Sequence, residues 1–164
     1  MAIEIREARP DEYAETGAVT ADAYREFFAE TEPDPRSYLE EIADVAGRAT
    51  RTTILVAVDG SRIVGSATLE LDGRTDEDAR PLDPDEAHIR MLGVHPDVRG
   101  AGIGRLLMAE CEDRARGAGR TRMTLHTTTV MRAAREMYAV LGYERSEDRV
   151  YPDGFVLLGY TKRL

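Results

Sequence analysis

One stretch constrains this chain more than any other: Arg90-Met-Leu-Gly-Val-His-Pro-Asp-Val-Arg-Gly-Ala-Gly-Ile-Gly104. An apolar strand runs into Val94, and a short turn leads to Arg99-Gly-Ala-Gly-Ile-Gly104. An amphipathic helix follows at once, with Ile103, Leu107, Cys111 and Ala115 at helical spacing. Glycine lacks Cβ, so the backbone N–H groups of this turn can approach a ligand closely. A helix N-terminus adds unpaired N–H groups and a partial positive charge. Together they form a socket for a phosphate or pyrophosphate. An ordinary strand-to-helix turn needs only one or two glycines.

Three phosphate-binding patterns compete for this segment. A nucleoside-triphosphate loop ends in Gly-Lys-Ser/Thr, but Ile103 and Arg105 flank the last glycine here. A dinucleotide fingerprint places a third glycine where Arg105 stands and an acidic residue about twenty residues on. The run Leu125-His-Thr-Thr128 stands there instead. The pattern Arg/Gln-x-x-Gly-x-Gly/Ala, after a strand ending in an apolar-x-Val step, fits Arg99 to Gly104 in full. With these residues the chain resembles the GNAT superfamily of acyl-CoA-dependent N-acetyltransferases. Ala134-Arg-Glu-Met-Tyr138-Ala-Val-Leu-Gly142-Tyr143 is similar to that family's Tyr-x-x-x-Gly-Phe segment.

The rest of the chain gives an element order. Residues 3–9 alternate as a short strand, and Pro10 opens a helix with Tyr13, Gly17, Ala21, Tyr24 and Phe28 at helical spacing. Thr31 to Pro35 breaks it. A second helix is expected over 35–47, with Tyr38, Ile42 and Val45 on one side. Thr52–Val58 and Arg62–Leu71 read as strands joined at Asp59-Gly60, a tight hairpin signal. A polar loop, 72–85, precedes the strand Ala87–Val94. Then follow a helix over 102–117, a strand Arg122–Leu125, and a helix Val130–Leu141 with Val130, Ala134, Met137 and Leu141 toward the core. Tyr143–Tyr151 and Phe155–Thr161 form a last hairpin. This order predicts an α/β fold with a mixed sheet, unlike a regular strand–helix alternation. The resemblance implies a mostly antiparallel sheet flanked by helices and splayed between strands 4 and 5, with the pantetheine arm of the cofactor in the splay.

Residues 1–164 are expected to form one domain. The N-terminus lacks the order of a secretory signal, no apolar run is long enough to span a bilayer, and a cytoplasmic location is the default. Cys111 is the sole cysteine and reads as a small core residue. A net charge of −9 argues against nucleic-acid binding and mildly favours a cationic acceptor. No His/Cys cluster has metal-ligand spacing, so no metal is expected.

The resemblance implies acetyl-CoA as co-substrate and direct acetyl transfer to a primary amine on a small molecule or peptide. It places the pantetheine amides on Leu92, Gly93 and Val94. The pyrophosphate falls on the amides of Arg99, Gly100, Ala101, Gly102, Ile103, Gly104 and Arg105. The side chains of Arg99 and Arg105 either add charge-assisted bonds or are solvated. Gly93 either permits a bulge that turns an N–H toward the thioester carbonyl or relieves crowding against a neighbouring helix. Tyr138 matches the family's general-acid tyrosine; its bland alternative is a packing role. Strand alternation sets Glu86, His88, Arg90 and Leu92 on one face. His88 stands where relatives often carry a glutamate base, with Glu86 nearby, or else is a polar strand residue. Met131 replaces a frequent asparagine; Thr127, Thr128 and Thr129 beside it offer hydroxyls or helix caps. His95 reads as a turn residue and His126 as a contact or structural one. The competing function is a non-catalytic acyl-CoA-binding sensor or interaction module. The last hairpin offers a sheet edge through which a homodimer could form.

Overall fold

The computed structural model describes residues 1–28, 35–76 and 79–164. β1 (Ile3–Glu7) leads through a single turn at Pro10–Glu12 into α1 (Tyr13–Phe28). The helix expected over 35–47 is two helices, α2 (Pro35–Ala43) and α3 (Val45–Ala49). Asp44 divides them, because its carboxylate accepts the Gly47 N–H at 3.0 Å and starts a new helix. The break expected before α2 lies, apart from Pro35, outside the described residues.

β2 (Thr53–Asp59) and β3 (Arg62–Glu70) form the expected hairpin, with Gly60 at φ +63°. β4 (Glu86–Val94), α4 (Ile103–Gly117), β5 (Arg122–Thr127), α5 (Arg132–Val140), β6 (Glu144–Val150) and β7 (Val156–Arg163) complete the chain. α5 starts later than its sequence period suggests. Val130 lies in the preceding turn, 55% exposed, and Tyr138 takes the buried position instead.

The seven strands form one mixed sheet in the order β1-β2-β3-β4-β5-β7-β6. Every pair is antiparallel except β4–β5. That parallel pairing runs from Glu86 opposite Arg122 to Ile89 opposite Leu125 and stops. Beyond it Arg90–Val94 and His126–Thr127 run on without pairing each other, which is the expected splay. One face of the sheet carries the main core. There Ile103, Leu107, Cys111 and Ala115 of α4 and Tyr138 of α5 meet Leu55, Leu69, Ile89, Met123 and Leu125. On the other face Val19 packs on Val56 and Ile63, while Ala21, Phe28 and Ile42 surround Met91. Cys111 is fully buried, and burial pushes its thiol up, as suits a packing residue.

Candidate active site

The turn between β4 and α4 is built as the sequence implies. Gly100 and Gly102 sit at φ +84° and +82°, a region side chains with Cβ avoid, and Gly102 is the N-cap of α4. The first bond into the helix is Leu106 N–H to the Gly102 carbonyl, at 3.1 Å. Among the described residues, no backbone or side-chain acceptor takes the N–H groups from Arg99 to Arg105. An unbroken row of free amides at a helix N-terminus suits a diphosphate. The Arg99 side chain is committed elsewhere. Its guanidinium donates to the Ala23 carbonyl at 2.8 Å and pairs with Glu26, tying the turn to α1. Arg105 is exposed.

β4 bends before it reaches this turn. Gly93 opposes Ser66 and Arg90 opposes Thr68, so Met91 and Leu92 together face Ala67. Met91 holds φ +53°, the sole non-glycine residue with positive φ among those described. The bulge sends Met91 toward α1 and α2 and returns Leu92 to the α4 face with Ile89. Leu92 therefore does not share a face with Glu86, His88 and Arg90. The bulge also lies before Gly93. A Cβ on Gly93 would come within 2.9 Å of the Ala23 Cβ, so this glycine relieves crowding against α1.

Below the bulge, Glu86, Thr124 and His88 form a hydrogen-bonded chain. Arg80 donates to both Glu86 carboxylate oxygens at 2.8 and 2.9 Å, and the Asp83 N–H adds a third bond at 3.1 Å. Thr124 Oγ1 donates to Glu86 at 2.6 Å. Burial alone would raise the Glu86 carboxyl, but these bonds outweigh it and hold it at about 2. Ionised, Glu86 only accepts, so the single hydroxyl proton of Thr124 is spent on it. The Thr124 oxygen, 2.7 Å from His88 Nδ1, must then accept from an Nδ1–H. Burial, then Arg74 and His126, keep His88 well below its ordinary value. A neutral His88 protonated on Nδ1 carries its lone pair on Nε2.

His88 and Tyr138 both line one cavity of about 980 Å³, whose wall also includes Ile89 to Leu92 and Leu125 to Thr128. The cavity thus occupies the splay; the glycine turn lies outside it. Tyr138 is 5% exposed and held by the rings of Tyr143 and Tyr160, with centroids 5.9 and 5.8 Å away. Burial raises its phenol, and Tyr160 and Cys111 add to this, so it stays protonated at neutral pH. His126 shares the cavity, its ring 5.5 Å from that of His88. Met131 and Thr127 also line it, and no side chain caps α5, so the threonines do not serve as its caps. His95 accepts the Asp97 N–H at 3.1 Å in the turn. Sequence reading misses Thr124 and Arg80. Their one signal is that Thr124 sits opposite His88 in the parallel register, which no local spacing reveals.

A family model described as the acetyltransferase (GNAT) family matches residues 18–143. Solved structures match nearly the whole chain. A GNAT-family acetyltransferase of Staphylococcus aureus Mu50 is 16% identical, with 99% of each chain covered and a TM-score of 0.76. PaiA N-acetyltransferase of Thermoplasma acidophilum, in complex with coenzyme A, is 16% identical over the full length of both chains, with a TM-score of 0.77. YncA of Salmonella typhimurium, with its cofactor acetyl-CoA, is 20% identical, covers 100% of this chain and 95% of its own, and gives 0.69. At these identities the structures establish the fold. No curated protein matches the sequence.

Proposed function

The chain belongs to the acetyltransferase (GNAT) family and is an enzyme of that family, and from this premise we propose direct transfer of an acetyl group from acetyl-CoA to a primary amine. The observation that carries this reading is the row of unpartnered amides from Arg99 to Arg105 at the end of a splayed strand pair. The residues present fit the co-substrate. The amides and the positive end of α4 suit its diphosphate, and the free edge of β4 beyond Ile89, through Leu92, Gly93 and Val94, suits its pantetheine amides.

Acetyl-CoA supplies an acyl group on a good leaving thiolate. The chain's own residues handle protons. An alkyl ammonium, with a pKa of about 10.4 by analogy with lysine, must lose a proton before its nitrogen can attack. His88 Nε2 is the base that takes it, directly or through water. As the N–C bond forms and the C–S bond breaks, the nitrogen gives up a second proton to solvent. The departing sulfur takes the Tyr138 hydroxyl proton, which solvent then restores. Glu86 acts through Thr124 and is a positioning residue: it fixes the ring of His88 and the nitrogen that bears its proton.

Thiol release from acetyl-CoA, measured across an amine panel, tests the reaction. Amine-dependent release with matching N-acetyl product is expected. Coenzyme A binding in a calorimeter without transfer to any amine would instead identify an acyl-CoA-binding sensor.

A further inference from the structure

The net charge of −9 suggests an enzyme that attracts cations, yet the cavity around His88 is furnished differently. In the loop between β3 and β4, three carboxylates point outward, with Asp72, Asp83 and Asp85 92%, 58% and 54% exposed, whereas Asp76 lines the cavity at 22%. The loop's Arg74 turns inward and is 14% exposed. Most carboxylates around the cavity already hold cations or amides. Glu86 holds Arg80, Asp76 holds Arg149, and Asp148 holds Arg145 and the Gly159 N–H.

Arg90 is the exception. It lines the cavity on β4, on the same face as His88 and two residues along, a spacing of roughly 6–7 Å. Its guanidinium donates to the Thr75 hydroxyl and lies near the Tyr38 phenol. Among the described residues its one carboxylate partner is half-exposed Glu41, a loose ion pair at 3.9 Å with no hydrogen bond. Behind Arg90 lies a second guanidinium, Arg48, 4% exposed, bonded to Thr68 and to the Glu41 carbonyl, with Nη2 unpartnered. Two like charges this close, Arg48 buried and Arg90 21% exposed, repel each other, and an anion beside Arg90 offsets that repulsion. Other cations reach both histidines: after burial, Arg74, paired with Glu70 at 3.5 Å, is the largest influence holding down His88 and His126, and Arg90 adds a smaller one at His88.

We infer that the acceptor amine also carries an anionic group, a carboxylate or phosphate, which Arg90 holds in the cavity while the amine lies at His88. The inference rests on the acetyl transfer proposed above. An acceptor of this class spans the two side chains: the anion forms charge-assisted bonds to the guanidinium, and the nitrogen sits a few bonds away at Nε2.

Matched pairs test it: phenylalanine against phenethylamine, and phosphoethanolamine against ethanolamine, with spermidine as a cationic control. In the unmodified enzyme the anionic member of each pair is expected to have a kcat/KM roughly 10- to 100-fold higher, chiefly through a lower KM. Arg90→Gln should collapse that ratio by raising KM for the anionic members, and Arg90→Lys should keep part of it. Equal or higher kcat/KM for the amines that lack the anionic group, or for spermidine, overturns the inference while leaving acetyl transfer standing. So does an Arg90→Gln enzyme whose ratio is unchanged. No turnover of any amine would sink both. The ratio in the unmodified enzyme decides the matter even where Arg90→Gln fails to fold.

Discussion

Glu86 reaches His88 only through the Thr124 hydroxyl, so loss of either partner should leave the same mark on the imidazole. Thr124→Val keeps the shape and removes the acceptor. The Nε2–H tautomer should then appear in ¹⁵N spectra of His88, and kcat should fall roughly tenfold, within the usual reach of acid–base catalysis. Thr124→Ser should restore both; an unchanged tautomer in Thr124→Val would break the chain of reasoning. Tyr138→Phe removes the proton meant for the thiolate. Where chemistry limits the rate, kcat should drop about 10²-fold with little change in KM for acetyl-CoA. Acid stability reads the same groups. Glu86 has a lower pKa folded than unfolded, so its contribution, on the order of 3 kcal/mol, is present above about 4.5 and lost as pH falls through about 2. His88 is also held down, so the unfolded chain takes up its proton first, and stability starts to decline as pH falls below about 6.5. Urea unfolding across pH 7 to 3 should show both limbs, and His88→Gln should flatten the upper one.

β4 and its following turn set how the elements meet, and two glycines there fail differently when filled. Gly93→Ala drives a methyl into Ala23 of α1 and should cost roughly 1–3 kcal/mol in denaturant unfolding. Gly102→Ala meets nothing within 4 Å but must hold φ +82°, so it strains the amide row itself. Coenzyme A affinity should fall about tenfold in calorimetry, while a Gly102→Ala protein that binds normally would remove the turn from the site. Much at this scale is legible in the sequence. Arg99 to Gly104 announces the turn, and Ile103, Leu107, Cys111 and Ala115 announce the buried stripe of α4. Alternation sets Glu86, His88 and Arg90 on one face, and it fails at Leu92 because Met91 carries no sign of the positive φ it adopts. The break at Asp44 hides within a helical period that continues across it. The Thr124–His88 bond joins residues 36 apart through a parallel register, and that register is set by the packing of the whole sheet.

Helices pack on both faces of the sheet, and β4 and β5 part beyond Ile89. We read residues 1–164 as a single cooperative unit, since one seven-stranded sheet runs from β1 to β7. Thermal unfolding should therefore be one transition, coincident by near- and far-ultraviolet circular dichroism. Coenzyme A at a hundredfold excess over its Kd should stabilise the fold by about 2.7 kcal/mol, raising Tm by roughly 5–11 °C. The most direct measurement is a crystal structure of the protein grown with coenzyme A. Expected is the diphosphate on the amides of Arg99 to Arg105, the pantetheine along β4 between β4 and β5, and the sulfur within hydrogen-bond reach of the Tyr138 hydroxyl. Coenzyme A bound at saturation anywhere else, with the amide row facing only water, would contradict the account.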